Sequence, residues 1–132
     1  MAGMKDILVP ISPGELLDKI TILRIKAARM ADAIKLENVR LELQLMEQTW
    51  RDSGCGAFEI TKDEQALQAV NERLWVVEDL IREKEAARSF DSEFIELART
   101  VYIANDERAA IKKRVNARLG SRIVEEKSYK PY

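Results

Sequence analysis

The stretch Ser12-Pro13-Gly14-Glu15-Leu16-Leu17-Asp18-Lys19-Ile20-Thr21-Ile22-Leu23 (12–23) holds both a helix start and the first turns of an apolar seam. A Ser hydroxyl can accept from the amide three residues on while Glu15 reaches back to the cap, and Pro13 suits the first helical position. From there Leu16, Ile20, Leu23, Ala27, Met30 and Ile34 recur at alternating spacings of four and three, one face of an amphipathic helix. Ile22 and Ile25 lie off that seam, which predicts neighbours on two sides. Asp18 and Lys19 are read as ordinary exposed residues.

Leu36, Val39, Leu43, Met46 and Trp50 form a second seam. No Gly or Pro marks a break from the first, so the sequence allows either one kinked helix or two. Asp52-Ser53-Gly54-Cys55-Gly56 is a loop. Thr61-Lys62-Asp63-Glu64 repeats the capping-box pattern and introduces Leu67, Val70, Leu74, Val77 and Ile81; Asp91 caps a last helix through Phe94, Leu97, Val101, Ala104, Ile111, Val115 and Leu119, closed by Gly120. The longer helices would run roughly 35–40 Å at 1.5 Å per residue.

The 3-4 spacing favours near-parallel crossings. The expectation is therefore an all-α fold: a bundle of three to four long antiparallel helices in a single domain, 1–132, with coiled-coil-like packing. The tail Arg122 to Tyr129 is a candidate for a short β pairing with the lead Asp6 to Ile11, which would bring its carboxylates near Ser12 and Glu15.

Of 132 residues, 46% are hydrophobic and 34% charged, a balance that fits neither a disordered nor a membrane chain. Formal charge is −1, which makes nucleic acid and anionic membranes poor partners. One Cys admits no intramolecular disulfide, and a cytoplasmic location is expected. There is no His, which removes Ser-His and Cys-His nucleophile pairs and nearly all zinc sites; no metal and no cofactor is predicted.

Polar residues on apolar faces nominate a site. Continued from Val101, the seam of the last helix lands on Asn105 and Arg108, and a charge on a core stripe costs several kcal/mol unless paired. The expected partners are Asn71, Trp75, Glu78 and Arg82 on the third helix. Arg108, Lys112, Lys113, Arg114 and Arg118 add a basic face, and Lys112 joins Asn71, Trp75, Glu78, Asn105 and Arg108 as candidate ligand-binding residues. The alternatives are a structural ion-pair network and a solvated face. Trp50 and Trp75 are expected as core or interface anchors.

Val9-Pro10-Ile11-Ser12-Pro13-Gly14-Glu15-Leu16, Phe90-Asp91 followed by Phe94-Ile95-Glu96-Leu97-Ala98, and Ile123-Val124-Glu125-Glu126-Lys127-Ser128-Tyr129, with Asn71, Leu74 and Trp75, resemble a family of small bacterial proteins of unknown function. The resemblance spans nearly the whole chain. It implies a stand-alone domain and a link to cell-surface glycan synthesis, and it supplies no catalytic residues. Two functions follow as expectations. One is a homodimeric interaction module that binds a protein partner or an anionic ligand through polar residues of the third and fourth helices. The other is a ligand-binding protein or enzyme with an Arg/carboxylate pocket for a phosphate- or carboxylate-bearing metabolite.

Overall fold

A computed structural model describes residues 3–132. Helix α1 spans Pro13–Arg29, α2 Ala33–Asp52, α3 Thr61–Ala86 and α4 Ser92–Leu119, with a 3-10 turn at Cys55–Ala57. The sequence-predicted start of α1 forms: Ser12 Oγ accepts from the Glu15 amide at 3.1 Å and Pro13 takes the first helical position. Helices α1 and α2 are separate. Met30 leaves the helix in an extended conformation, and Asp32 caps α2 by accepting from the Lys35 amide at 2.9 Å. A side-chain cap thus makes the break that no Gly or Pro announced.

The capping box expected at Thr61 does not form. Ile60 occupies the cap position without a side-chain bond, Thr61 is already helical, and its amide donates to Glu59 Oε1 at 3.0 Å. Asp91 does cap α4, accepting from the Phe94 amide at 2.9 Å. That amide first, then Lys84, lowers its carboxyl to about 2. Gly120 ends α4 with φ +67°, a left-handed conformation that glycine adopts without strain.

Helices α1, α3 and α4 pack on one another around Leu17, Leu67, Val70, Ala104, Ile111 and Val115. Helix α2 leans on α1, and Val39 is its one fully buried residue. Its seam residues Leu43, Met46 and Trp50 are half covered, whereas Ile34, Leu41 and Leu45 on the opposite face are exposed. Ile25 is buried, as two-sided packing of α1 predicts. Past the end of α1, α3 and α4 continue as a paired arm in which no residue from 78 to 103 is fully buried. An arm without a core gains little from hydrophobic burial, so the stability of the fold resides at the other end.

The short β pairing is not present: no strand occurs among the described residues. Ile7, Leu8 and Val9 stay exposed, and Pro10 lacks the amide that a ladder needs. The tail is drawn instead to α4 by charge, with Glu125 on Lys112 at 2.8 Å and Glu126 on Lys113 at 3.3 Å. Glu125 does reach the α1 start by this route, because Lys112 also holds Glu15 at 2.7 Å.

Candidate functional site

The α1–α4 interface is a polar ladder. On α1, Gly14, Asp18 and Thr21 run along one stripe with Ile25; on α4, Arg108, Lys112 and Asn116 recur every four residues. At the first rung the Gly14 amide donates to Asn116 Oδ1 at 2.7 Å. At the second, Lys112 bridges Glu15 and Glu125. At the third, Arg108 forks onto Asp18, Nε donating to Oδ1 at 2.8 Å and Nη2 to Oδ2. The order of the rungs makes the two helices antiparallel.

Gly14 allows this approach. A Cβ there would press into the Lys112 carbonyl oxygen and lie 2.8 Å from Asn116 Oδ1.

Asp18 is only 1% exposed, so its charge is stabilised by partners rather than by water. Besides Arg108 it accepts from Asn71 Nδ2 at 2.9 Å, and the same amide donates to Thr21 Oγ1 at 3.0 Å. Thr21 donates its hydroxyl to the Asp18 carbonyl at 2.8 Å, so a residue from each of α1, α3 and α4 shares one buried knot. The bond to Asp18 raises the Arg108 guanidinium above its ordinary value, against the burial that would lower it. For Lys112, burial is the largest influence and pulls its ammonium down. The bonds to Glu125 and Glu15 outweigh it, and the net shift is upward. Lys112 in turn lowers the Glu125 carboxyl.

Next to this knot opens a groove of about 480 Å³ between α1, α3 and α4, within the size range of small-ligand pockets. Ile22, Ile25, Leu74 and Trp75 supply its apolar lining. Asn71, Asn105 and Arg108 line one part; Glu78, Asp79 and Arg82 line another. Arg108 spends two of its five N–H donors on Asp18 and touches Asn105 Oδ1 at 3.5 Å with Nη1, which leaves the outer edge of the fork toward the groove. The side-chain bonds use Asn71 Nδ2 and Asn105 Oδ1, which leaves Asn71 Oδ1 and Asn105 Nδ2 without a side-chain partner among the described residues.

Five of the six nominated residues, Asn71, Trp75, Glu78, Asn105 and Arg108, line this one groove. Lys112 does not: at 9% exposure it is part of the ladder, not of a solvated basic face. Two expectations about pairing are corrected. Arg108 pairs with Asp18 on α1, not with α3, because a fully buried carboxylate is the stronger partner. Glu78 pairs with Arg82, its own neighbour one turn on. Asp18 is also not an exposed residue, whereas Lys19 is. Arg114 and Arg118 flank the buried Asp63 near the start of α3, with Arg114 Nε donating to Oδ1 at 3.2 Å. Trp50 packs against the core, and Trp75 is half-buried on the groove.

Sequence reasoning missed Asp18 and Thr21, although a signal existed. Gly14, Asp18, Thr21 and Ile25 follow a 4-3-4 spacing of their own. Among the described residues, no group of three or more His, Cys, Asp and Glu is placed to hold a metal ion, and no helix is long and apolar enough to cross a membrane.

The molecule is thus an all-helical protein with a buried Asp–Arg–Asn knot beside a groove of metabolite size. The chain belongs to a family of unknown function, DUF6165, whose model matches residues 7–132. No curated protein and no solved structure matches it.

Proposed function

We propose that the protein binds a small metabolite in the groove between α1, α3 and α4, with an acidic group of the ligand, carboxylate or phosphate, held by Arg108. One observation carries this reading: the buried Asp18 holds the guanidinium through Nε and Nη2, and Arg108, with donors to spare, lines a groove that also has an apolar wall. A guanidinium fixed in this way loses little entropy on meeting a planar anion. Asn105 and Asn71 supply further polar contacts, and Trp75 covers an apolar part of the ligand.

The chain has two Trp residues, and the second, Trp50, lies away from the groove against α1 and α3. Nuclear magnetic resonance titration with carboxylate and phosphate probes should move the Trp75 indole signal and leave that of Trp50 in place. Asn105→Ala should weaken the response several-fold while changing the melting temperature by no more than a few degrees. A Trp75 signal indifferent to every anionic probe would refute the reading.

We further propose that two copies pair through the outer face of α2. Exposed Ile34, Leu41 and Leu45 share a 3-4 stripe with Asn38 and Gln48, the pattern of a short coiled-coil seam. Antiparallel pairing sets Lys35 of one copy beside Glu42 of the other, whereas parallel pairing opposes Glu37 to Glu42. Light scattering at tens of micromolar should give twice the 15.1 kDa chain mass, and Leu41→Lys with Leu45→Lys should halve it. A wild-type mass of one chain at that concentration counts against the pairing.

A further inference from the structure

Resting on the groove reading above, we propose that its ligand is an elongated zwitterion: a carboxylate at Arg108, an ammonium or guanidinium at Asp79, and an apolar chain between them along Trp75.

The charge layout of the groove leads to this class. A site for a lone anion should be positive, yet this lining opposes Arg82 and Arg108 with Glu78 and Asp79, and Asp18 stands behind Arg108. A simple anion gains at Arg108 and loses in the field of the two carboxylates; a simple cation meets the reverse problem. A molecule with both charges satisfies both ends.

The charges are also separated. Asn71, which shares Asp18 with Arg108, marks the cationic end, and Asp79 lies eight residues further along α3, about 12 Å at 1.5 Å per residue. Side chains leaning inward shorten that gap, but an α-amino acid holds its charges only two bonds apart and cannot address both ends. An ω-amino acid, or a basic amino acid through its side chain, can. Between the ends Trp75, Leu74 and Ile22 offer apolar cover for methylene groups.

The two acidic residues are not equivalent. Glu78 is engaged by Arg82, whereas Asp79 makes no ion pair among the described residues and is exposed at the groove edge. Asp79 is therefore the group left to receive the cation.

Three probes of one length separate the possibilities: 6-aminohexanoate, hexanoate and hexylammonium, each titrated against the whole chain with the Trp75 indole signal as readout. The expected result is a dissociation constant for 6-aminohexanoate at least tenfold below those of both one-ended probes. Asp79→Asn, an exposed and nearly isosteric change, should bring 6-aminohexanoate to the hexanoate value. If hexanoate or hexylammonium binds as tightly as 6-aminohexanoate, the zwitterion inference is overturned; with hexanoate, the acid-binding reading survives. If none of the three moves Trp75 while phosphate probes do, the inference again fails alone. Silence toward all carboxylates and phosphates removes both.

Discussion

Replacing Arg108 with alanine is expected to lower the melting temperature by 10 °C or more, on the order of 3–5 kcal/mol, the usual cost of removing one partner from a buried ion pair. The magnitude follows from what remains. Asp18 is 1% exposed, and without the guanidinium its Oδ1 keeps only Asn71 while its Oδ2 keeps nothing. Arg108 itself is partly exposed, so the loss comes mainly from the stranded carboxylate and less from lost packing. Arg108→Lys should be milder, since it restores charge without the two-point fork. Asp18→Asn/Arg108→Met, which removes both charges, should be more stable than the sum of the single changes predicts. Thermal unfolding followed by circular dichroism measures each of these proteins, with Asp18→Asn and Arg108→Met alone completing the cycle. A fall of less than about 3 °C for Arg108→Ala would mean that Asp18 is not stabilised by this residue, and the buried knot would lose its meaning.

That expectation also explains how far the site could be read from residues alone. Helix α4 announced itself because Asn105 and Arg108 interrupt an otherwise apolar seam, and a polar interruption demands a partner. The visible stripe Asn71, Trp75, Glu78 and Arg82 points to α3 for that partner, and all four do line the groove. The actual carboxylate is ninety positions away on α1, in a helix whose seam already looked complete with Leu16, Ile20 and Leu23. A one-stripe reading of α1 puts Asp18 outside. Only the packing of α1 against both α3 and α4 makes a second stripe obligatory, and that is a property of the assembled bundle. The seams of α3 and α4, the cap at Asp91 and the end at Gly120 are legible because their causes are local, whereas the first seam does not reach Ile34, which is exposed on α2. The α1–α2 break and the missing Thr61 cap are not legible, since Asp32 and Glu59 supply bonds that compete with patterns resembling continuity or a capping box. The tail misled for another reason. Alternation in Arg122 to Tyr129 suggests a strand, but Glu125 and Glu126 meet Lys112 and Lys113, so the tail follows α4 and does not pair with the lead.

Gly14→Ala carries the other large effect, and its sign is opposite to the general rule. In a helix, Gly→Ala ordinarily stabilises by up to about 1 kcal/mol, since alanine has less backbone freedom to lose. At Gly14 the added methyl would press into the Lys112 carbonyl and approach Asn116 Oδ1 to 2.8 Å. Relief requires α1 to move off α4, which would stretch the Gly14–Asn116 bond and then the two ion-pair rungs beyond it. Overpacking costs about 1–3 kcal/mol and a buried amide left without its acceptor about as much again. The expected loss is therefore about 3 kcal/mol or more, a melting temperature lower by roughly 10 °C. Gly56→Ala is the control: nothing lies within 4 Å of its added methyl, and it should change stability by less than about 0.5 kcal/mol. Asn116→Ala tests the cause further. If the obstacle is the Lys112 backbone, trimming Asn116 cannot rescue Gly14→Ala, and the double variant should be no more stable than the single one. Rescue would show that the side chain, not the close approach of two backbones, sets the spacing of α1 and α4, and the register that aims Arg108 at Asp18 would then need another origin.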